Sequence, residues 1–258
     1  MAISHKPVLP EQIDLGTIEK TLAHKHARSH HEVVKVRNVY KKFKIGEDEV
    51  PVLKHLDVTF YSGEFVMIFG PSGCGKSTFL HTVLGLEEPT SGKVFLRDID
   101  LYSLPTDDRA TFRHEKIGMI FQQSNWIKSL NVVDNVAYPL MLSGVKYADA
   151  RGLALERLHE VGMEMHAKQK PTELSGGQQQ KVALARALVT NPWIIVADEP
   201  TGNLDTTSGY EVVHMLAWLN RVKRRMIIMV THDNRFLNIA TRRVHMTDGK
   251  IVNDEHDH

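Results

Sequence analysis

The sequence predicts an α/β fold organised around a buried parallel sheet. The apolar run at residues 65–69 leads into a glycine-rich loop and then into a segment with helical periodicity. Two further short apolar runs, at residues 193–197 and 226–230, end in polar residues and are separated by a helix-like stretch. Alternation of buried strands with helices is typical of a parallel sheet covered by helices. With 258 residues, the chain is long enough for one domain, or a domain with an added lobe.

The composition indicates a globular protein and argues against several other classes. Hydrophobic residues make up 42% of the chain and charged residues 24%, and the formal charge of +1 gives no reason to expect a nucleic-acid partner. No apolar run approaches the roughly 18 residues that a membrane helix needs, and residues 1–32 lack the apolar centre of a secretory signal. The single cysteine, Cys74, cannot form an intramolecular disulfide, and it is either a small loop residue or a redox-sensitive thiol. We therefore expect a cytoplasmic protein.

The glycine-rich stretch GPSGCGKST, residues 70–78, is the motif on which the functional interpretation depends. A buried strand that turns through glycines into a helix presents unpaired backbone N–H groups, which a phosphate chain can satisfy. Lys76 can reach the terminal phosphates, and Ser77 can offer its hydroxyl to Mg²⁺. Because GxxxxGKS has its full spacing, we interpret the stretch as a phosphate-binding loop rather than a turn that is merely rich in glycine. The residues expected to contact nucleotide here are Gly70, Ser72, Gly73, Cys74, Gly75, Lys76, Ser77 and Thr78.

The chain before this loop divides into a polar extension and a pair of strands. Residues 1–32 are polar and rich in histidine, so we expect a solvated extension, with a metal site formed by the histidines as the alternative. Residues 33–40 and 52–60 have strand-like patterns separated by a charged turn, which predicts an antiparallel lobe. Tyr40 closes the first of these strands. It is either a half-buried strand residue or a ring on which a purine base stacks.

The middle of the chain interrupts the α/β alternation with a block of helices. Residues 93–101 and 117–121 are expected to form strands before this block. Asn131 is a suitable N-cap for the first helix, and Gly162 is expected to end the second. The predicted inner face of the second helix consists of Ala150, Leu153, Ala154, Leu158 and Val161. These helices predict a separate lobe.

A second helix start that favours anions follows at LSGGQ, residues 174–178. Ser175 is a favourable N-cap, and Gly176 and Gly177 expose further N–H groups at the positive end of the helix dipole. An ordinary capped helix with a Gly-Gly entry would explain Ser-Gly-Gly alone, but it would not explain the full string. The chain thus has two helix N-termini suited to phosphate.

Charged side chains follow two of the predicted buried strands. Asp198 and Glu199 come directly after residues 193–197, and His232 follows the next strand. Carboxylates at the carboxyl end of a parallel strand lie where open α/β sheets bind ligands. Asp198 can hold the Mg²⁺ shell, and Glu199 can accept a proton from an attacking water. His232 alone would be read as a structural histidine, but its position at a strand end favours a functional role.

Taken together in this order, the motifs resemble those of the nucleotide-binding subunit of ABC transporters. The resemblance extends over residues 33–251, and its most specific string is LSGGQ, which other P-loop ATPases lack. It implies a P-loop NTPase fold with a RecA-like core, an antiparallel β lobe and an α-helical signature lobe at about residues 123–180. It also implies an ATPase domain at residues 33–252 and a tail at residues 253–258.

The same resemblance implies roles for individual residues. Tyr40 would be the aromatic residue that stacks on the base, and Gln122 the hinge glutamine that links Mg²⁺ and the γ-phosphate to a membrane partner. Asp198 matches the Mg²⁺-organising aspartate, Glu199 the general base and His232 the switch histidine. The metal ligands implied are Ser77, Gln122 and Asp198. The further contacts with nucleotide, some of them across a dimer interface, are Ser175, Gly176, Gly177, Gln178 and Asp205.

Cofactors, partners and location also follow from the resemblance. It implies ATP and Mg²⁺, a head-to-tail homodimer, and an integral membrane permease on a separate chain. IGMIFQQ, ADEPTGNLD and VTHD are similar to the branch that includes the LolD lipoprotein-release ATPase, the MacB macrolide exporter and the FtsE cell-division ATPase. We therefore expect an export, lipoprotein-release or extraction ATPase at the inner face of the cell membrane. The alternatives are a transmembrane signalling module of the cell-division type and a soluble ATPase acting on nucleic acid or ribosomes.

Two departures from the family pattern bear on these expectations. Lys181 stands where the family usually has arginine, which keeps the charge but loses a planar bidentate donor. Trp126, with the two residues after it, replaces a more aliphatic stretch that in the family contacts the membrane subunit. The second departure lies where the choice of membrane partner would be made.

Overall fold

The structure, a computed structural model, describes residues 31–256 of the chain and contains two sheets. A four-stranded antiparallel sheet has the order β2-β1-β4-β5, and a six-stranded sheet has the order β10-β9-β3-β8-β7-β6. The strands are β1 (Glu32–Ile45), β2 (Asp48–Tyr61), β3 (Phe65–Phe69), β4 (Ser91–Leu96), β5 (Ile99–Asp100), β6 (Ile117–Phe121), β7 (Ile194–Asp198), β8 (Met226–Thr231), β9 (Arg242–Thr247) and β10 (Lys250–His256).

Helices surround the six-stranded sheet and build a lobe of their own. They are α1 (Lys76–Val83), α2 (Thr106–Lys116), α3 (Val132–Leu142), α4 (Tyr147–Glu160), α5 (Gly176–Leu188) and α6 (Thr206–Arg221), with short 3₁₀ turns at Leu101–Ser103, Glu164–His166, Pro171–Glu173 and Asn234–Ile239. Within residues 31–256, none of them combines the length and the apolar character needed to cross a membrane. The arrangement confirms the predicted α/β class, with an antiparallel β lobe and a helical lobe.

The central strand β3 divides the core into two apolar layers. Successive side chains of a strand point to opposite faces. Accordingly, Phe65 and Met67 belong to the cluster that includes the helical lobe, whereas Val66 and Ile68 belong to the cluster under the antiparallel sheet. All four are at most 1% exposed, so β3 is buried on both faces, as its continuous apolar run predicts.

The register of the parallel strands brings the polar strand ends to one edge of the sheet. Phe69 at the end of β3 lies opposite Thr231 in β8, and Asp198 at the end of β7 lies opposite Val230. Phe121 at the end of β6 lies opposite Asp198. The residues that follow these strands therefore share the carboxyl edge, where α/β sheets bind ligands.

The helical lobe follows the sequence prediction with one exception. Asn131 caps α3, because its Oδ1 accepts a hydrogen bond from the N–H of Asp134 at 2.9 Å. On α4, Ala150, Ala154 and Leu158 are buried as predicted, but Leu153 is 38% exposed. Leu153 is therefore not part of the inner face, which continues through alanines instead.

Three elements differ from the prediction or extend beyond it. Helix α2 was not predicted, and none of its residues is buried. Strand β9 was not predicted either. Strand β10 runs to His256, so four of the six residues assigned to a tail at residues 253–258 pair with β9. The prediction missed this strand because none of its residues is fully buried, so it lacks an apolar pattern. The strand is held instead by Asp254, whose carboxylate accepts hydrogen bonds from buried Arg242. Residues 1–30 of the predicted extension at residues 1–32 lie outside the described residues.

Candidate functional site

The phosphate-binding loop lies at the carboxyl end of β3, where the chain turns into α1. Gly70 has a φ of 150° and Gly75 a φ of 103°, which other residues rarely adopt. A Cβ at Gly70 would collide with the backbone oxygen of Met246, and one at Gly75 would lie 2.9 Å from the oxygen of Val52. Both positions therefore require glycine, for the backbone angle and for the close approach of a neighbouring strand.

The N-terminus of α1 has the properties of a phosphate site. No side chain caps it, and its first turn carries no acidic residue. The first N–H groups of a helix have no partner within the helix, and they lie at the positive end of its dipole. Ser72, Gly73 and Ser77 are exposed, while Thr78 is half-buried. The site is thus open to solvent and fits a bound phosphate chain.

Lys76 lies folded over this loop. Its Nζ donates hydrogen bonds to the backbone oxygens of Gly70 and Pro71, each at 2.9 Å, and lies 4.0 Å from Sγ of Cys74. The residue is only 7% exposed, and within residues 31–256 it has no carboxylate partner. A buried ammonium that is held by carbonyls alone gains strongly from an anion. Phosphate oxygens at the loop would supply that charge.

The adjacent oxygen atoms of Ser77 and Asp198 fit a magnesium ion. Oγ of Ser77 lies 3.5 Å from Oδ1 of Asp198. Burial raises the pKa of Asp198, and the charge of His81 acts in the opposite direction. A hydroxyl and a buried carboxylate are ligands that Mg²⁺ accepts, usually together with waters and substrate phosphates. Across the described residues, no cluster of three or more His, Cys, Asp or Glu side chains offers a different metal site.

Glu199 and His232 meet at the same edge of the sheet. Nδ1 of His232 lies 2.9 Å from Oε2 of Glu199. The Glu199 side chain is 20% exposed, against 61% for His232. Glu199 has a φ of 47°, and its N–H donates to the oxygen of Val230 at 3.0 Å. A positive φ at a residue other than glycine is a strained conformation that occurs at functional sites. The structure thus holds a partly buried carboxylate beside an exposed imidazole, next to Asp198.

Gln122 joins this edge from the neighbouring strand β6. Its Nε2 donates a hydrogen bond to Oδ1 of Asn203 at 3.2 Å. A Cβ at Gly202 would lie 2.7 Å from that Nε2, so the glycine leaves room for the amide. Phe121 lies opposite Asp198 in the neighbouring strand. Gln122 is the next residue, so it follows the strand position beside the proposed Mg²⁺ ligand Asp198. The structure therefore brings together the predicted residues of the strand ends.

The helix start at Ser175 is capped within the chain. Oγ of Ser175 accepts a hydrogen bond from the N–H of Gln178 at 3.3 Å, and Oε1 of Gln178 accepts one from the N–H of Ser175 at 2.9 Å. This reciprocal pair is a capping box. A Cβ at Gly177 would lie 2.9 Å from the side chain of Ser208, whose N–H donates to Asp205 at 3.0 Å. The side chain of Asp205 thereby caps α6.

The two helix starts do not meet within one chain. Gly176, the first residue of α5, packs near Leu204, where a Cβ would lie 3.1 Å from Cδ2. Among residues 31–256, no hydrogen bond or ion pair joins residues 174–178 to the phosphate-binding loop. The predicted phosphate contacts therefore fall into two groups in the chain.

Tyr40 lies on the face of the β1-β2 hairpin that points away from the loop. In β1, Val39 pairs with Leu56 and Lys41 pairs with Leu53, whose Cδ2 lies 3.2 Å from a Cβ placed on Gly75. Because directly paired residues share a face, Val39 and Lys41 lie on the face of β1 that they share with Leu53, and Tyr40 between them lies on the opposite face. The ring of Tyr40 instead stacks on that of His55, with centroids 5.2 Å apart.

Phe43 is the aromatic residue of β1 that shares the loop-facing side. Between Val39 and Phe43 the register shifts have their extra residues in β2, so this part of β1 alternates regularly and Phe43 lies on the face of Val39 and Lys41. Nζ of Lys41 lies 4.8 Å from the centroid of the Phe43 ring. The sequence analysis missed Phe43. Alternation counted forward from buried Val39 would have found it.

Comparisons with known proteins place this geometry in a family. A family model described as ABC transporter matches residues 53–202. The uncharacterized ABC transporter ATP-binding protein YvrO of Bacillus subtilis (strain 168) is 42% identical over 220 residues, covering 85% of this chain and 96% of YvrO. The lipoprotein-releasing system ATP-binding protein LolD of Colwellia psychrerythraea is 40% identical over 220 residues, covering 85% of each chain.

A solved structure agrees in both fold and sequence. It is the dimeric structure of a post-hydrolysis state of the ATP-binding cassette MJ0796 bound to ADP and Pi, from Methanocaldococcus jannaschii. It superposes with a TM-score of 0.80 at 40% identity and covers 86% of this chain and 98% of MJ0796. Since the family model spans more than half of the chain and these relatives span most of it, the chain belongs to the ABC transporter family, as an ATP-binding subunit with ATPase activity.

Proposed function

We propose that this chain hydrolyses MgATP as a head-to-tail homodimer and thereby drives a separate integral membrane permease. The observation that carries the proposal is the separation of the two phosphate-suited helix starts. The start of α1 has Lys76 and no side-chain cap, whereas the start of α5 contacts residues 203–208. In a head-to-tail pair, the α5 start of each copy would complete the nucleotide site of the other. The dimeric form of MJ0796 supports this arrangement.

In this account, the residues at the sheet edge carry the chemistry. Lys76 and the first N–H groups of α1 hold the phosphate chain. Glu199 accepts a proton from the water whose oxygen attacks the γ-phosphorus, while the bond to the bridging oxygen of ADP breaks. His232, whose Nδ1 lies 2.9 Å from Oε2 of Glu199 without hydrogen-bond geometry in the free chain, would orient that carboxylate when nucleotide is bound. Mg²⁺, held by Ser77, Asp198 and Gln122, would neutralise charge on the phosphate oxygens.

The α5 start would act on the nucleotide of the other copy. There the partner subunit's Ser175 and the N–H groups of the partner subunit's Gly176 and Gly177 would approach the γ-phosphate. Gln178 holds the hydroxyl and N–H of Ser175 in the free chain, and Asp205 holds the start of α6 beside Gly177. Closure of the dimer would exchange some of these internal hydrogen bonds for phosphate contacts.

The base would stack on Phe43 rather than on Tyr40. Phe43 presents its ring on the side of β1 where Leu53 approaches the phosphate-binding loop, while the ring of Tyr40 is occupied by His55. Stacking reads the face of a ring and few hydrogen bonds, so we expect it to contribute affinity more than choice between purines.

The names of the relatives support a proposal for the class of membrane partner. LolD is named as part of a lipoprotein-releasing system. By analogy, we propose that this chain works at the cytoplasmic face of the cell membrane with a permease of the export, lipoprotein-release or extraction type. Its near-neutral charge of +1 offers no basis for a nucleic-acid partner.

The proposal is tested by purifying the chain from its native cell and identifying the membrane protein that accompanies it. We expect an integral membrane protein, and we expect ATPase activity that requires Mg²⁺ and changes when that protein is present. ATPase activity without any membrane partner, but with stimulation by DNA or ribosomes, would contradict the transport assignment. Absence of ATP hydrolysis with and without the partner would contradict the enzymatic one.

A further inference from the structure

Helix α5 is tied to the end of β6 by a buried amide. Gln180 is 4% exposed, and its Nε2 donates hydrogen bonds to the backbone oxygens of Phe121 at 3.1 Å and Gln122 at 3.2 Å. The same helix begins at the Ser175 capping box. A single side chain thus connects the helix that carries the SGG start with the backbone of Gln122, a proposed metal ligand.

The amide of Gln180 is held in one orientation. Its Nε2 has two carbonyl acceptors, whereas its Oε1 is buried and has no hydrogen-bond partner among residues 31–256. Rotating the amide by half a turn would place Oε1 against two carbonyl oxygens, which repel it. A buried acceptor without a partner is costly and uncommon, so its retention calls for an explanation beyond filling the core.

The rest of the segment after β6 is held by other side chains of α5. Trp126 Nε1 donates to Oε1 of Gln179 at 2.9 Å, and the guanidinium of Arg186 lies 4.4 Å from the Trp126 ring centroid while donating to the oxygens of Ser124 and Asn125. These contacts hold residues 124–126. Gln180 differs from these side chains because it binds the backbone of Gln122 itself.

We propose that Gln180 is a positioning residue for ATP hydrolysis, acting through Gln122. By holding the carbonyl of Gln122, it sets how far the Gln122 side chain reaches beyond the end of β6 toward Asp198 and Asn203. It also makes that reach depend on the position of α5, and so on the dimer contact made by Ser175. The inference rests on the proposed ATPase function. Gln180 does not itself touch nucleotide or metal.

A merely structural role for Gln180 predicts a loss of stability and nothing more. The chain provides a matched control in Asn220. It is also 4% exposed, and its Nδ2 also donates to two backbone oxygens, those of Gly63 at 3.0 Å and Arg225 at 2.8 Å. Asn220 lies on α6 and joins segments away from the strand ends that form the site. Replacing either amide removes two hydrogen bonds to backbone oxygens at an equally buried position.

The experiment is steady-state ATPase kinetics on the full chain, with Q180M and the control N220L. Methionine and leucine keep the approximate size of each side chain and remove its hydrogen bonds. Because small displacements of a positioned group lower turnover strongly, we expect Q180M to lower kcat by about tenfold with KM within about twofold. N220L should leave kcat within about twofold of the wild type, although both variants lower Tm.

A double-mutant cycle shows whether the effect passes through Gln122. In a Q122A background, Q180M should change kcat by less than about twofold, because the group that it positions is already gone. If Q180M proves too unstable to purify, Q180N is used, since the shorter amide cannot reach both carbonyls. A wild-type kcat in the Gln180 variant, an equal loss in N220L, or an undiminished effect in Q122A would overturn the proposal while leaving the ATPase assignment intact. Absence of hydrolysis in the wild-type chain would overturn the proposed function itself, and this inference with it.

Discussion

The two helix starts suited to phosphate, those of α1 and α5, are similar in sequence and different in structure. The α1 start follows a glycine-containing turn, the α5 start carries two glycines as its own first residues, and both expose N–H groups. At α1, however, no side chain caps the helix, and Lys76 is satisfied only by loop carbonyls. At α5, Ser175 and Gln178 form a reciprocal capping box. The first start has no side-chain cap, and the second is capped at Ser175 and Gln178 while the N–H groups of Gly176 and Gly177 remain for a ligand.

This difference gives the two starts different tasks. An uncapped helix start beside a buried ammonium gains affinity directly from bound phosphate. At the capped start, Gln178 already engages the hydroxyl and the N–H of Ser175, so mainly the N–H groups of Gly176 and Gly177 remain for phosphate and the intrinsic affinity is lower. We infer that α1 binds nucleotide first and that α5 of the second copy joins only when a γ-phosphate is present. The substitutions below are expected to affect the two starts differently.

Removal of the catalytic carboxylate should have the largest effect, because it stops the chemistry while leaving both helix starts intact. In Glu199→Gln, we expect steady-state turnover to fall on the order of a hundredfold or more, the scale of a lost general base, with ATP binding preserved. Turnover and the affinity for a fluorescent ATP analogue are measured on the same preparation. Turnover near that of the wild type would remove Glu199 from the role of base.

Replacing one glycine at each helix start by alanine should change the free energy of unfolding differently at the two starts. Gly75→Ala forces a residue with Cβ to a φ of 103°, 2.9 Å from the oxygen of Val52, so we expect a loss of about 1–3 kcal/mol in the free energy of unfolding. Gly176→Ala meets only the flexible tip of Leu204 at 3.1 Å, and alanine is favoured over glycine in a helix by up to about 1 kcal/mol, so it should be neutral or stabilising. Urea unfolding without nucleotide compares the two. Equal losses would contradict the contrast.

Base stacking sharpens the account of the α1 half of the site. Phe43→Ala should weaken nucleotide binding by about 1–3 kcal/mol, the cost of losing a base–aromatic stack. Tyr40→Ala is the matched control, since it removes an aromatic residue three positions away on the opposite face of β1, and it should leave the affinity unchanged. Titration calorimetry with ATP and Mg²⁺ measures both. The reverse outcome would return the stacking role to Tyr40.

The capping box accounts for the smallest expected effect. Ser175→Ala removes an N-cap and should lower the free energy of unfolding of the free chain by about 1 kcal/mol. Ser77→Ala, in the uncapped first turn of α1, should change it by less than about 0.5 kcal/mol. Urea unfolding in the absence of nucleotide distinguishes them. If Ser77→Ala costs as much as Ser175→Ala, the two helix starts are not different in the way described.

The parts of the site that the sequence predicts correctly depend on local signals. Glycines at the positive-φ positions of the loop, the N-cap at Ser175 and the polar residues directly after buried strands each leave a mark within a few residues. The register of the parallel sheet then brings Asp198, Glu199 and His232 together. The placement follows from strand direction alone.

What the sequence analysis missed depends on longer-range structure. Helix α2 buries none of its residues, so it has no apolar face for periodicity to detect. Strand β10 is a polar edge strand, held by pairing with β9 and by the ion pair of Asp254 with Arg242. The prediction for Tyr40 did not include which face of β1 it occupies, and register shifts in both β1 and β2 hide that face from a reading of the sequence.

The central claim is that ATP joins two copies of the chain through the uncapped start of one and the capped start of the other. The most direct test is the mass of the Glu199→Gln protein, measured by light scattering during gel filtration, at saturating ATP and Mg²⁺. We predict a dimer with ATP, a monomer with ADP, and a monomer when Lys76→Ala is added. A protein that remains monomeric with ATP, even in the presence of its membrane subunit, would contradict the account.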